Sequence, residues 1–402
     1  MLVIKPSNDD ACPSGKGTRA RTLLKVIAAF AFVFFAAANT LAQPQNFGMQ
    51  MHVINIGQGE AILLEFRNHA VLVDTGSEET DDAERYNDFL TNYLDAFFQR
   101  RDDLDRTLYG VVLSHPHVDH GRNLMTVLEN YNVETFIEGG ARGKEQEVKK
   151  AIANTKAWLK SNNRRRIVLT NNKLTNKNLT DANLTAWTKD ISDRSNAEVR
   201  FLSGRRYCSN ENNDSLVMRV QFGQKSFLLV GDWETEDEAP NNCGGLIRYL
   251  TNKYKNKDDL DVDVYKVGHH GSYNGTNDAI LAKMSPDYAV ISAGKFEDKT
   301  PGGFHAFQFA HPRGHPGDNT TRDSLLKIIA ATKKTRPATE VYYLDKVPKK
   351  KKIKGVMKTV SVTKRTDFTL TKAVYCTCWD DNIIFTVNTA GDDISVGTKP
   401  SN

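Results

Sequence analysis

The chain is short of several things, and each shortage removes a class of function. It contains no Gly-x-Ser-x-Gly element and no suitable pairing of cysteine with histidine, which argues against covalent catalysis by an activated serine or thiol. It has no marked charge surplus, with 54 lysines and arginines set against 49 aspartates and glutamates, so it is not notably basic as a whole. Only five cysteines occur, none in a cluster with histidine, and a structural role suits them better than metal binding. No internal repeat of solenoid period is visible. The one extended apolar run, Val26 to Ala38, is too short to cross a bilayer comfortably.

That run belongs to a leader. Lys16, Arg19, Arg21 and Lys25 precede it, and small residues lead on to Ala42-Gln43. Residues 1–42 thus read as a secretory signal peptide, with a retained N-terminal membrane anchor as the alternative. A secreted or periplasmic protein is expected, with no stable membrane span after cleavage. Without the leader the formal charge drops from +5 to about +2, and Cys12 is lost. Cys208, Cys243, Cys376 and Cys378 remain, and in an oxidising compartment they allow three pairings. Cys208 with Cys243 is the less strained choice, because Cys376-Thr377-Cys378 sits poorly in one strand. Oligomeric state leaves no mark in the sequence. Overall 39% of residues are hydrophobic and 26% charged, which is ordinary for a globular protein with ample core.

What the chain does have is concentrated at Ser114-His115-Pro116-His117-Val118-Asp119-His120. Three of its ten histidines and a carboxylate fall within six positions, directly after the apolar run Tyr109–Leu113. His115 and His117 are two apart, so an extended loop projects both to one side. Asp119 and His120 supply a second, differently aimed pair. Imidazole nitrogen with carboxylate oxygen is a ligand set for zinc, iron or manganese. A polar surface loop that merely happens to hold histidines fits such clustering poorly.

Other polar residues fall just after strands. Short strands are expected at Met51–Ile56, Ala61–Phe66 and Ala70–Asp74, followed by a helix at about Ala83–Arg101. Further strands are expected at Val133–Ile137, Glu198–Leu202, Ser215–Phe222, Ser226–Val230, Val262–Val267 and Tyr288–Ser292. Asp74, the histidine run, Asp232 and His269-His270 each follow one of these, which brings them to the same end of a sheet. Residues 141–200 are rich in Asn and Lys and read as an insert, a helix through Val148, Ile152 and Trp158 and then an irregular loop. Residues 340–402 read as a basic C-terminal tail. Its Lys349-Lys350-Lys351-Lys352, Lys354, Lys358, Lys364 and Arg365 form a cluster able to track a phosphate backbone. The same composition also suits a solvated hairpin tip.

These blocks resemble the metallo-β-lactamase fold superfamily, and more closely the C-terminal hydrolase domain of ComEC-type competence proteins. The resemblance rests on His52-Val53-Ile54-Asn55-Ile56-Gly57-Gln58-Gly59-Glu60-Ala61, Val71-Leu72-Val73-Asp74-Thr75-Gly76 and the histidine run. It continues through Asn213-Asp214-Ser215-Leu216-Val217, Phe227-Leu228-Leu229-Val230-Gly231-Asp232, Lys266-Val267-Gly268-His269-His270-Gly271-Ser272 and Gly314-His315-Pro316. It implies one α/β domain over residues 43–402, a four-layer αββα sandwich with one or two metal ions between the sheets. By position His115 and His117 resemble ligands of a first metal. Asp119, His120 and one of the adjacent histidines, preferably His270, resemble ligands of a second, with Asp232 bridging. Asp74 resembles a carboxylate that orients ligands from behind, although a turn residue before Thr75-Gly76 is its plainer reading. A third imidazole is expected before Leu216, but that loop reads Asn210-Glu211-Asn212-Asn213-Asp214-Ser215. The first metal is left with two imidazoles and a weak oxygen from Asn213, Asp214 or Ser215. That softens the preference for Zn2+ and admits Mn2+.

The implied chemistry is hydrolysis by metal-activated water, whose pKa such a centre lowers to about 7. Two ions roughly 3.5–4 Å apart also stabilise the attacking and leaving oxygens of a phosphodiester displacement. Asp119 holds a metal or orients water, while His269 and His315 are candidate acids for the leaving group. His311 reads as a plain loop histidine. The expected function is that of a secreted phosphodiesterase or nuclease, with a phosphodiester substrate and DNA as a candidate partner. The alternative is hydrolysis of another ester, a lactone or a lactam on the same fold. A binding protein on a degenerate fold fits less well, since His115, His117, Asp119, His120 and Asp232 are all present.

Overall fold

Alternation along the strands sets the architecture. Met49, Met51, Val53, Ile62, Leu64 and Phe66 turn to one side, whereas Leu63 and Leu72 turn to the other, as the two-residue period of a strand requires. Both faces are therefore apolar, and each needs a partner layer. The protein is described by a computed structural model over residues 46–77, 83–141, 143–174, 181–235, 243–256, 258–294, 321–353 and 356–399.

An eight-stranded sheet runs, in spatial order, through Ile394–Lys399, Asn382–Val387, Met49–Val53, Ile62–Phe66, Ala70–Val73, Gly110–Val112, Thr135–Glu138 and Arg165–Val168. A six-stranded sheet runs through Val374–Cys376, Tyr288–Ile291, Val264–Lys266, Lys225–Leu229, Val217–Phe222 and Ala197–Ser203. Between them lies a core built from both, including Met51, Leu64, Val112, Met218, Phe227 and Val290. Helices Ala83–Arg100, Leu124–Asn130 and Gln146–Ser161 cover the outer face of the first sheet through Leu90, Leu94, Phe97, Val127 and Ile152. Helices Leu246–Lys253, Asp278–Met284 and Thr321–Ala331 cover the second through Leu250, Ile280 and Ile328. The layers are those of the expected αββα sandwich. Among the described residues no helix is long and apolar enough to cross a membrane.

Two regions depart from expectation. The Asn/Lys-rich stretch is not irregular after its first helix: Arg165–Val168 extends the first sheet, and a second helix spans Ala182–Ser195. Asp181 caps that helix by accepting from the amides of Asn183 and Leu184. Leu184, Trp187 and Ile191 form its apolar stripe and enter the inter-sheet core, where Trp187 stacks on Tyr109 at 5.8 Å. The basic segment is likewise no tail. Thr335–Ile353 and Val356–Lys372 make one long hairpin, after which the chain returns to add Val374–Cys376 to the second sheet and Asn382–Val387 and Ile394–Lys399 to the first.

Cys208 pairs with Cys243, as the spacing suggests. Cys376 pairs with Cys378, where the chain leaves a strand for the short helix Thr377–Asp380 and is not one continuous strand. The expected signal peptide over residues 1–42 lies outside the described residues.

Candidate metal centre

Every side chain of the centre stands at the end of a strand, where the backbone turns over the sheet edge. The strand Gly110–Val112 delivers Ser114 and His115, and His117 then begins the short helix Val118–Gly121 that carries Asp119 and His120. The adjacent strand Ala70–Val73 delivers Asp74, whose φ of 58° turns the chain sharply. That turn seats tightly on the helix. The Thr75 amide donates to His120 O at 2.8 Å and the Glu60 amide to Asp119 O at 3.0 Å. A Cβ on Gly76 would come within 2.1 Å of the His120 nitrogen, so only glycine permits the approach. From the second sheet, Lys225–Leu229 delivers Asp232 through Gly231, at φ 54°, and Val264–Lys266 delivers His269 and His270.

Asp74 is not an ordinary turn residue. Its carboxylate accepts from the Ser114 amide at 2.7 Å, from Ser114 Oγ at 2.6 Å and from His120 Nδ1 at 2.7 Å. Ser114 Oγ in turn accepts from His115 Nδ1 at 3.1 Å. One buried carboxylate therefore selects the tautomer of two imidazoles, His120 directly and His115 through the serine, and leaves each Nε2 facing inward. His270 is set the same way, its Nδ1 donating to Ser292 O at 2.7 Å.

The inward atoms converge. Asp119, His120, Asp232 and His270 each offer one ligand atom, all within 4.8 Å of one another. Asp232 Oδ2 lies 3.3 Å from His120 Nε2, 3.4 Å from His270 Nε2 and 3.9 Å from His115 Nε2. Asp119 Oδ2 is 3.1 Å from His270 Nε2. Of the two adjacent histidines, His270 is the one whose ring turns into this cluster. His269 points elsewhere, to Asn274 Oδ1 at 2.9 Å and Glu234 Oε1 at 3.3 Å. Both residues adopt left-handed backbone, φ 46° and 50°, which is uncommon for non-glycine residues and aims the two rings apart.

Charge is balanced inside the cluster. Burial disfavours protonation of His270, but Asp232 and Asp119 outweigh it and raise its pKa to about 10. His120 is likewise raised by Asp232, Asp119 and Asp74 against the same burial. Asp232 is held well below the usual carboxylate range by His270 and His120, although burial pushes the other way. His115 is kept neutral, chiefly by burial and then by its histidine neighbours. A divalent cation competes with these protons for the same lone pairs, so its binding weakens in acid.

Two tests support such a cation. The donor set is neutral imidazole nitrogen with carboxylate oxygen, and three buried atoms have no hydrogen-bond partner: His115 Nε2, Asp232 Oδ1 and Glu211 Oε2. Orphaned buried acceptors of this kind cost about 1–3 kcal/mol each, unless something positive satisfies them.

The oxygen expected from Asn213, Asp214 or Ser215 is not offered by any of them. Asn213 Oδ1 accepts from the amides of Leu246 and Glu234, and Asp214 accepts from the amides of Arg206 and Cys208 and from Arg205. Ser215 Oγ accepts from the Asp232 amide. The residue of that loop beside the histidines is Glu211, which the sequence reading passed over. Behind the centre, Lys266 and Glu60 form a fully buried ion pair that was also missed. His311 and His315 lie outside the described residues.

Residues 54–154 match the metallo-beta-lactamase superfamily model. Recombination protein 2 of Haemophilus influenzae is 23% identical over 247 residues, covering 61% of this chain and 24% of that protein. ComE operon protein 3 of Bacillus subtilis is 37% identical over 87 residues, 22% of this chain and 10% of that protein. The chain thus spans a quarter or less of these relatives. Among solved structures, the metallo-beta-lactamase fold protein YhfI from Bacillus subtilis aligns with a TM-score of 0.33 at 14% identity, over 60% of this chain and 84% of that one. From Ile54 through the histidine run to residue 154 this chain matches the metallo-beta-lactamase superfamily model, and over part of its length it is similar to Recombination protein 2 and ComE operon protein 3.

Proposed function

We propose that the protein is a metal-dependent hydrolase of phosphodiesters, DNA among them, working with Zn2+ or Mn2+. The observation that carries this reading is the convergence of His115, Asp119, His120, Asp232 and His270 at one buried point, with Asp232 shared among three imidazoles. His115 and His117 would hold one cation, Asp119, His120 and His270 another, and Asp232 both. Such ions act as Lewis acids and provide hydroxide at neutral pH. Asp74 fixes the imidazoles that receive them. His269 stands beside the centre with Nδ1 directed at Asn274 and Glu234 and Nε2 3.5 Å from Asn212 Nδ2, and it would serve as acid for a leaving oxygen only with that Nε2 protonated and released from Asn212.

The substrate class has independent support. The hairpin tip exposes Lys350, Lys351, Lys352 and Lys358, a charge complement for a polyphosphate backbone. Two disulfides fit an oxidising compartment, in keeping with secretion or a periplasmic location.

The test is an assay of the purified protein on a bis-aryl phosphate, plasmid DNA and a chromogenic lactam with Mn2+ or Zn2+, beside Asp119→Ala. Diester cleavage that depends on added metal and drops by about 10²–10³-fold in the variant is expected. Protein that binds no metal, or a rate indifferent to the substitution, would refute the reading. Cleavage of the lactam alone would move the function to that substrate.

A further inference from the structure

The loop Asn210–Ser215 appeared to leave the first cation site one ligand short. Its geometry points the other way. Asn210 begins a short helical turn over Glu211–Asp214, its Oδ1 accepting from the Asn212 amide. Asn210 Nδ2 and Asn212 Nδ2 both donate to the Glu234 carboxylate, at 2.7 and 2.6 Å. These two side chains are tied back to the second sheet, and Asn213, Asp214 and Ser215 are engaged as described above. Glu211 alone turns toward the histidine run. It is 9% exposed, its Oε2 lies 3.6 Å from His117 Nε2, and that oxygen has no hydrogen-bond partner.

His115 Nε2 and Asp232 Oδ1 are also buried without a partner, and the His115 and His117 rings are adjacent, with centroids 4.6 Å apart. His115 Nε2 lies 3.9 Å from Asp232 Oδ2 and Glu211 Oε2 lies beside the His117 imidazole, while Asp119, His120 and His270 gather at the same Asp232 carboxylate. A cation between His117 Nε2 and Glu211 Oε2 would give that carboxylate oxygen the partner it lacks.

We infer that Glu211 is the missing protein ligand of the first site, where a carboxylate stands in place of a third imidazole. This rests on the metal-centre reading of the previous section and adds to it. With Glu211 included, each site has two imidazoles, one carboxylate of its own and the shared Asp232: His115, His117 and Glu211 on one side, His120, His270 and Asp119 on the other. The two sites then have equal donor sets. Centres of this kind differ from a three-histidine site by an added hard oxygen, which shifts preference from Zn2+ toward Mn2+. Equal donor sets further imply that both ions bind in the same concentration range.

Metal stoichiometry and affinity by calorimetry and elemental analysis test this, with Mn2+ and Zn2+ titrated separately into wild type, Glu211→Gln and Glu211→His. Wild type is expected to take two equivalents of Mn2+. Glu211→Gln keeps the shape but not the charge, and should retain one equivalent while the other weakens by more than about 100-fold, beyond the loss usual for residues that only orient ligands. Electron paramagnetic resonance should change in parallel, from a coupled pair to an isolated Mn2+ spectrum. Glu211→His restores the second equivalent and makes that site prefer Zn2+. The equivalent retained in Glu211→Gln reports that the fold and the other site are intact. Two equivalents of unchanged affinity in Glu211→Gln would overturn the assignment of Glu211 and leave the metal centre standing. Absence of bound metal from wild type would overturn the metal-centre reading itself.

Discussion

Replacing Asp232 with alanine is expected to empty both cation sites and to lower phosphodiester turnover on the order of 10³-fold, beyond the 10–100-fold loss usual for residues that only orient ligands. Among the described residues Asp232 is the one carboxylate within 4 Å of His115, His120 and His270 together. Its removal takes a ligand from each site and most of the negative charge that offsets the two charged imidazoles. The pH response has a definite sign. His270, whose pKa Asp232 helps to raise to about 10, loses that support and should give up its proton at lower pH in the variant. Elemental analysis, diester kinetics and an NMR titration of the histidine ring resonances check the three parts together. A variant that keeps two ions and a rate within tenfold of wild type would exclude Asp232 as the shared ligand.

The second large effect lies away from the centre. Glu65 is fully buried beneath the end of helix Ala83–Arg100, where it receives Arg100 at 2.9 and 2.6 Å, Arg101 at 2.8 Å and His52 at 3.1 Å. Arg101 also donates to the carbonyls of Phe66 and Arg67, so the network ties helix to strand. Glu65→Ala leaves the buried Arg101 charge partly uncompensated, and a loss of about 3–5 kcal/mol is expected. Burial would raise the Glu65 pKa, yet the bonds from His52 and Arg100 outweigh it and bring the value from 4.5 down to about 2. A depressed carboxylate stabilises the fold above its unfolded value and loses that contribution as pH falls from 4.5 toward 2. The difference corresponds to about 3 kcal/mol. His52 acts earlier. Burial lowers its pKa below 6.5, so the unfolded chain takes up that proton first and stability starts to decline below pH 6.5. Urea midpoints from pH 7 to pH 2 should fall less steeply below pH 4.5 in Glu65→Gln than in wild type, with the earlier decline present in both. Parallel curves would remove Glu65 from the account.

How much of this was legible depended on whether a residue's role is local. Asp74, His115 and Asp232 each follow closely on an apolar run, with His120 in the same histidine cluster, and that transition can be read without knowing what the run pairs with. Glu211 has no such mark: one glutamate among asparagines becomes informative only when Glu234, in the loop after strand Lys225–Leu229, is seen to hold Asn210 and Asn212 back. The selection of His270 over His269 follows from two successive left-handed residues, a backbone choice that leaves no trace in the letters His-His. The helix Ala182–Ser195 was hidden differently. The Asn- and Lys-rich composition of the wider stretch 141–200 suggests a loop, although Leu184, Trp187 and Ile191 have helical spacing. Strand Asn382–Val387 pairs with Met49–Val53 across more than 300 positions, and no local pattern announces such a partner.

The centre has one further consequence. His115, His117, Asp119 and His120 hang from the first sheet, and Glu211, Asp232 and His270 from the second, so a bound ion is a removable crosslink between the two halves of the sandwich. Ligand binding to the folded state alone adds RT ln(1 + [M]/Kd), about 2.7 kcal/mol when free metal is a hundred times Kd. On the proposed reading, metal supply would set how strongly the two halves are held together as well as how fast the site turns over. A chelator would loosen the sandwich at its catalytic edge before reaching the hydrophobic layer beneath it.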